Sequence, residues 1–159
     1  MKNKEIVAAY YSAFNRKDKE SLLSLLSADV IHDINQGKRE IGIDAFRDFL
    51  GVMDHHYDEE VRDLVVLHSE NGSRAAAEFT IVGKYKHTAS GLPTAKGQTY
   101  SLPVGAFFEI KNGKIAKHTT TSSFSTATSS RLCNSSSSVW RISSYLKQNR
   151  QDAQVSPQK

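Results

Sequence analysis

Cysteine is nearly absent from this sequence, because Cys133 is the only one among 159 residues. A single cysteine excludes an intrachain disulfide, a zinc knuckle and a CxxC redox pair. No apolar run approaches the length of a membrane span, and the first residues lack the apolar core and small-residue cleavage site of a signal peptide. We therefore expect a cytoplasmic protein that does not insert into a membrane.

Sequence motifs for nucleotide and covalent chemistry are also missing. The chain has no glycine-rich phosphate loop, no nucleophile elbow and no cysteine–histidine pairing. A metal site is suggested only by "MDHHYDEE", where the adjacent His55 and His56 point in different directions on a helix and so do not face one ion. We expect neither a metal nor an organic cofactor.

Positive charge is in excess overall, with a formal net charge of +4, but the excess belongs to one end of the chain. Residues 1–116 carry 15 Lys and Arg against 16 Asp and Glu, whereas residues 117–159 carry 6 against 1. A nearly neutral body lacks the basic surface that follows a phosphate backbone. The charge pattern therefore argues against a nucleic-acid partner.

Composition divides the chain into a folded part and a tail. A hydrophobic content of 38% and a charged content of 24% are typical of one globular domain, which we place at residues 1–124. Ser and Thr fill 14 of the twenty positions from Thr119 to Ser138. Such a composition buries little apolar surface, so we predict an atypical, partly disordered tail over residues 125–159.

Apolar spacing predicts helices first and strands afterwards. Helical periodicity covers residues 4–15, Asp18 is placed to cap a second helix, and Asp44 to cap a third. A short strand around Val30 separates the second helix from the third. Four further strands follow, with hairpin turns at "ENGS" and at Asn112-Gly113. This order predicts an α+β fold in which a curved sheet wraps around helices.

The stretch "VIHDINQGK" raises the main question about function. Its carboxylate, Asp33, either faces water at the end of the strand or lines a cavity, where desolvation raises its pKa. Alternation along the strand then places His32 on the other side, as a surface or packing residue. Asn35 and Gln36 are predicted to cap the turn that follows.

Three motifs give the chain a family resemblance over roughly residues 6–121: "AAYYSAFNRKD", "SADVIHDINQGKREIGIDAFRDFL" and "LPVGAFFEIKNGKI". With these motifs it resembles the ketosteroid isomerase-like and SnoaL-like members of the nuclear transport factor 2-like superfamily. The resemblance implies a cone-shaped α+β barrel, in which a curved antiparallel sheet wraps around three N-terminal helices.

The same resemblance implies a set of site residues. Asp33 matches the carboxylate that acts as general base, and Tyr10 matches the phenol that donates a hydrogen bond to the developing oxyanion. The aspartic acid that completes the isomerase oxyanion hole is replaced by Gly105. The implied substrate pocket is lined by Phe14, Phe79, Ile81, Gly83, Gly105, Phe107 and His118.

Function is predicted on the same basis. The resemblance implies an enzyme without cofactor that binds a small carbonyl-containing or cyclic molecule and transfers a proton, as an isomerase, cyclase or dehydratase does. A non-catalytic ligand-binding or dimerisation module of the same fold is the alternative, and an epoxide-hydrolase-like enzyme is the third. Glu78 and Thr80 are expected on the convex face of the sheet, through which the resemblance implies a homodimer.

Overall fold

The computed structural model describes residues 3–34 and 38–122 of the chain. The predicted turn at Asn35 and Gln36 and the predicted tail lie outside the described residues. Within these ranges the elements in chain order are α1 (Asn3–Asn15), α2 (Lys19–Ser24), β1 (Leu26–Ile34), β2 (Arg39–Ile41), α3 (Ile43–His56), β3 (Tyr57–His68), β4 (Arg74–Tyr85), β5 (Thr99–Lys111) and β6 (Lys114–Ser122).

The helices form largely where the sequence predicts them. The Oδ1 atom of Asp18 accepts a hydrogen bond of 3.1 Å from the backbone N–H of Ser21, which confirms Asp18 as the cap of α2. The predicted cap of α3 is wrong, because Gly42 precedes the helix and Asp44 lies in its first turn. Gly42 has a φ of 99°, a backbone conformation that only glycine adopts without strain.

The sheet has the strand order β2-β1-β6-β5-β4-β3. Neighbouring strands are antiparallel with one exception, since β1 and β6 run parallel. The predicted antiparallel sheet thus contains one parallel pair, and β2 is a strand that the sequence did not reveal. The α+β class and the curved sheet around helices are confirmed.

Two hairpins connect the long strands at the predicted positions. The β3–β4 connection closes with a hydrogen bond of 3.0 Å from the N–H of Ser69 to the carbonyl of Arg74. In the β5–β6 turn, Asn112 and Gly113 have φ values of 50° and 70°. Two successive positive φ values suit the twist of a tight hairpin, which is why Asn-Gly is favoured there.

The helices cover one face of the sheet, which we call the inner face, and the opposite one is the outer face. Side chains from α1, α2 and α3 pack with inner-face residues in the main core, and a second core joins β3, β4 and β5. Along β4, Ala77 and Phe79 are buried whereas Glu78 between them is exposed, as alternation requires. None of the helices in the described ranges is long and apolar enough to cross a membrane.

Candidate functional site

A pair of buried histidines lies where β1 and β6 run side by side. His32 and His118 occupy paired positions in the two strands, and their side chains are 2% and 5% exposed. The ring centroids are 5.3 Å apart and the ring planes differ by 4°, so the imidazoles are stacked. On the neighbouring strand β5, Phe108 stacks on His118 at 4.9 Å and 18°. The three rings form a continuous row across the inner face.

Aromatic residues of α1 and α3 close over this row. The ring of Tyr10 lies 5.4 Å from that of His118, and the ring of Phe46 lies 4.5 Å from that of His32. Tyr10 and Phe46 are 3% and 1% exposed, so water has little access from the helix side. We call Tyr10, His32, Phe46, Phe108 and His118 the inner histidine site.

Burial keeps both imidazoles neutral near pH 7. Desolvation lowers the pKa of His32 from 6.5 to about 4, against the opposing effect of the neighbouring Asp33 carboxylate. Desolvation, aided by His32, also lowers the pKa of His118 well below 6.5. A neutral imidazole has one nitrogen that donates a hydrogen bond and one that accepts, so each ring is able to give or take a proton.

The ring nitrogens of this pair are short of hydrogen-bond partners. Among the described residues, neither nitrogen of His118 has a partner, and Nδ1 of His32 has none. A buried polar atom without a partner costs about 1–3 kcal/mol, so such atoms are rare unless they serve a purpose. The unpartnered nitrogens of His118 are therefore the strongest sign of function in the described part of the chain.

Asp33 lies on the outer face, away from Tyr10. Its carboxylate accepts hydrogen bonds of 2.6 and 3.0 Å from Arg39 and forms an ion pair of 3.1 Å with Lys117. These cations, Arg39 first, hold its pKa below the usual range, so the raised pKa that we expected of a carboxylate lining a cavity is not found. His32 takes the inner face instead, because a neutral imidazole costs far less to bury than a carboxylate.

The structure divides the predicted pocket residues between the two faces. Phe79 and His118 lie on the inner face, where the ring of Phe79 packs 4.6 Å from that of Tyr11. Ile81 is partly buried between the two cores. Phe14 lines a cavity of about 20 Å³ between the helices. This cavity is too small for an organic substrate, since it holds about one water molecule.

Gly105 and Phe107 lie on the outer face, so they do not line the inner histidine site. Alternation along β5 buries Ala106 and Phe108 and leaves Phe107 55% exposed on the outer face. A Cβ atom on Gly105 would meet the Thr121 hydroxyl at 3.4 Å on that same face. An acid at position 105 would therefore not reach the inner histidine site.

Sequence reasoning missed His32 and Phe108 as members of the site. A usable signal was present, because Val30 and Ile34 are apolar and lie two positions either side of His32. With a period of two, burying both aliphatic residues also buries His32 and leaves Asp33 outside.

Gly83, the remaining predicted pocket residue, lies in a second polar group on the inner face. Glu59, Gly83 and Tyr100 pair side by side across β3, β4 and β5. The Tyr100 ring crosses over Gly83, and its hydroxyl donates a hydrogen bond of 2.5 Å to the Glu59 carboxylate. Desolvation raises the pKa of Glu59, although the bond from Tyr100 opposes the shift. Phe108 lies eight positions beyond Tyr100 on β5, roughly 26 Å along the strand.

Replacing Gly83 by alanine is expected to lower the free energy of unfolding by about 2–3 kcal/mol. The new Cβ atom would overlap the Tyr100 ring, so the ring has to move. Glu59 would then lose the hydrogen bond that the Tyr100 hydroxyl donates. Urea unfolding followed by circular dichroism measures the change. The control is Gly51→Ala on α3, where a Cβ meets nothing within 4 Å and better helix propensity should stabilise the protein. Equal unfolding midpoints for Gly83→Ala and wild type would contradict this packing.

No group of three or more His, Cys, Asp or Glu side chains in residues 3–34 and 38–122 is arranged to hold a metal ion. The inner histidine site itself contains two neutral imidazoles and the Tyr10 phenol. Burial raises the pKa of Tyr10, so its hydroxyl keeps its proton and remains a hydrogen-bond donor.

Comparison with a solved structure identifies the fold of this chain. A nuclear transport factor 2-like protein from Burkholderia pseudomallei matches 77% of this chain and 92% of its own, with a TM-score of 0.63. At 18% identity this match shows the fold alone. The protein has the cone-shaped α+β fold of the nuclear transport factor 2-like class.

The sequence places the chain within one family of that class. The family model described as the SnoaL-like domain matches residues 7–118, and the chain belongs to this family. A structure from Pseudomonas putida, named as a candidate polyketide cyclase, is 54% identical over 76% of this chain and 90% of that one, with a TM-score of 0.74. One from Xanthomonas campestris, named in the same way, is 47% identical over 76% and 92%, with a TM-score of 0.73. No curated protein matches.

Proposed function

We propose that the protein is an enzyme of cyclase or isomerase type, which moves a proton on a small carbonyl-containing or cyclic compound, and that the aromatic residues over the inner histidine site move apart to admit it. Support comes from the SnoaL-like family and from two relatives named as candidate polyketide cyclases. The observation that carries the proposal is the buried imidazole of His118, whose two nitrogens have no partner among the described residues.

In the proposed reaction His118 is the base. Its unprotonated nitrogen takes a proton from the carbon beside the carbonyl, and the C–H electron pair moves to form an enolate. Tyr10, whose ring lies 5.4 Å from that of His118, donates a hydrogen bond to the enolate oxygen. Such a donor in a buried site stabilises developing negative charge by about 3–4 kcal/mol.

Burial lowers the pKa of His118 and makes it a weak base in the free protein, so the proton that it takes is held only briefly. The negative enolate favours the imidazolium beside it, so substrate raises the basicity of the ring during the reaction. Once the proton is returned, the ring is neutral again in its buried position. Return to another carbon completes an isomerisation. If the enolate carbon attacks a second carbonyl of the same molecule, return to the new alkoxide completes a cyclisation.

A non-catalytic ligand-binding module is the second candidate, and one observation favours it. Asp33, which the family resemblance implied as the base, is held in ion pairs on the outer face. A protein of this fold without that base binds a ligand in the same place without converting it.

Proton exchange separates the two candidates. A panel of cyclic and carbonyl metabolites is first screened by the shift in melting temperature, and each ligand found is incubated with the protein in D2O. The proposed enzyme exchanges the hydrogen on the carbon beside the carbonyl for deuterium, and NMR detects this deuterium in the recovered ligand. Tight binding of ligands bearing such a C–H bond, with no exchange above the protein-free rate, would establish the binding module.

We also propose that two copies of the chain associate through the outer face. Three large apolar side chains are exposed there, Val65 (54%), Leu67 (67%) and Phe107 (55%), and they line a groove of about 610 Å³. Glu78 lines the same groove, and a grouped apolar patch of this kind marks an interaction surface.

Phe107→Glu is therefore expected to shift the protein from dimer to monomer, because two charges would be buried at the paired surfaces. Analytical ultracentrifugation of both proteins measures the mass in solution. Val52→Glu, on α3 at 52% exposure, adds the same charge at another exposed apolar site and should leave the dimer intact. A monomeric wild type at high micromolar concentration would refute the proposal.

A further inference from the structure

Asp33 joins three strands on the outer face, directly behind the inner histidine site. Its Oδ1 atom lies 2.6 Å from Nε of Arg39 on β2, and its Oδ2 atom lies 3.1 Å from Nζ of Lys117 on β6. The hydroxyl of Thr119, also on β6, donates a longer bond of 3.4 Å to Oδ2. We call Asp33, Arg39, Lys117 and Thr119 the outer clamp. Its carboxylate is 21% exposed, so solvent screens the ion pairs only in part.

The strand pairing behind the clamp is short. The register of β1 against β6 shifts between Leu26 and Ile31, so the ladder near the site consists of four consecutive pairs. These pairs bring Ile31, His32, Asp33 and Ile34 opposite Lys117, His118, Thr119 and Thr120, respectively. Parallel pairing is slightly weaker per residue than antiparallel pairing, so a ladder of this length gains most from a side-chain contact that fixes it.

The register of this ladder decides which side chains face inward. Side chains alternate between the faces, so a slip of β1 by one residue would turn His32 outward and Asp33 inward. Such a slip would break the ion pairs to Arg39 and Lys117 and bury an unpaired carboxylate among aromatic rings, which is strongly unfavourable. The carboxylate at position 33 thus favours the observed register and disfavours the alternative.

From these contacts we infer that Asp33 is a positioning residue, which through the outer clamp holds His32 stacked on His118. Asp33 acts through strand register, because its side chain lies on the outer face whereas the two imidazoles lie on the inner face. The catalytic consequence rests on the proposed function, whereas the structural effect on the two rings does not.

Three substitutions, Asp33→Asn, Lys117→Met and Asp33→Glu, test the inference, and a fourth is the matched control. Asp33→Asn removes the charge and keeps the size, and Lys117→Met removes one cation but leaves Arg39 in place. The control is Glu109→Gln, which breaks the outer-face ion pair of 2.8 Å between Glu109 on β5 and Arg74 on β4. Glu109 is 22% exposed, almost the same as Asp33, and it stands outside the β1–β6 ladder.

The measurement is NMR on protein with isotopically labelled histidine, without any ligand. In wild type we expect nuclear Overhauser contacts between the ring protons of His32 and His118, together with shifts caused by ring stacking. Asp33→Asn should lose most of this contact, Lys117→Met should weaken it, and Asp33→Glu should retain it in part. Glu109→Gln should match wild type.

Unchanged ring contacts in both Asp33→Asn and Lys117→Met would overturn the inference. Equal loss in Glu109→Gln would also overturn it, because any outer-face ion pair would then have the same effect. Deuterium exchange on a ligand tests the proposed reaction separately. If the ring contacts depend on Asp33 but no ligand exchanges deuterium, the proposed reaction has failed. If a ligand exchanges deuterium but the ring contacts do not depend on Asp33, the positioning inference has failed.

Discussion

His118→Phe is expected to raise the melting temperature of the protein while it removes proton transfer. Phenylalanine has nearly the shape of histidine and is able to stack on Phe108 in the same way, 4.9 Å from ring to ring. The substitution removes two buried nitrogens that have no partner among the described residues. Their removal should contribute about 1–3 kcal/mol, which corresponds to roughly 2–10 °C for a chain of this length.

The loss of activity should be much larger than the gain in stability. A general base typically accelerates a reaction by about 10²–10⁴-fold, so exchange of the substrate C–H bond in D2O should fall by that factor. Ligand binding should persist, because most of the apolar contacts remain. The control is His55→Gln, an exposed histidine at the end of α3, which should change neither stability nor exchange.

Two results would contradict this assignment of the base. Exchange in His118→Phe at the wild-type rate would show that another group removes the proton. A fall in melting temperature of several degrees would show that the imidazole makes a stabilising contact, so that its burial is structural. A substitution that raises stability and abolishes activity is typical of a functional site, where the native residue serves the reaction at a cost in stability.

Local sequence patterns predicted the helices and hairpins because each depends on neighbouring residues. The cap at Asp18 and the turn at Asn112-Gly113 follow from backbone chemistry within four positions, and the structure has both. The cap of α3 was wrong because Asp44 and Gly42 lie two positions apart, and a composition pattern does not fix a helix boundary that closely.

The candidate site was harder to predict because it depends on one strand's orientation and on a distant partner. Asp33 and His32 are adjacent, so an error of one residue in the inward-facing set exchanges the two roles. The parallel pairing of β1 with β6 joins residues more than eighty positions apart, and it decides that His32 meets His118. Tyr10 was named from the family resemblance, and its burial agrees with the local periodicity that predicted its helix.

The stability of the folded protein is expected to fall as the pH is lowered from about 6.5 to about 4, because His32 is buried in its neutral form. Its pKa is about 4 in the folded protein and near 6.5 when the chain is unfolded. Between these values the unfolded state binds the proton and the folded state does not. The contribution of neutral His32 to the free energy of unfolding is therefore complete above pH 6.5 and is lost on acidification. Its size is about 3 kcal/mol.

His118 should act in the same direction, because burial also lowers its pKa. Asp33 acts at lower pH, since its lowered pKa stabilises the fold until the pH falls below its ordinary value of 3.8. Glu59 acts in the opposite direction, because its pKa is raised by burial and the folded state takes up its proton first. A wild-type curve alone therefore contains several contributions, and a variant is needed to isolate the histidine.

Urea unfolding of wild type and His32→Phe between pH 7 and pH 4.5 separates these contributions. The contributions of Asp33 and Glu59 are present in both proteins, so the difference between the two curves reports on His32 and on its effect on His118. We expect wild type to lose stability across this range by about 2 kcal/mol more than His32→Phe. If the two curves run parallel, His32 is accessible to protons in the folded state. The stacked pair would then not be the closed, neutral site from which the proposed chemistry starts.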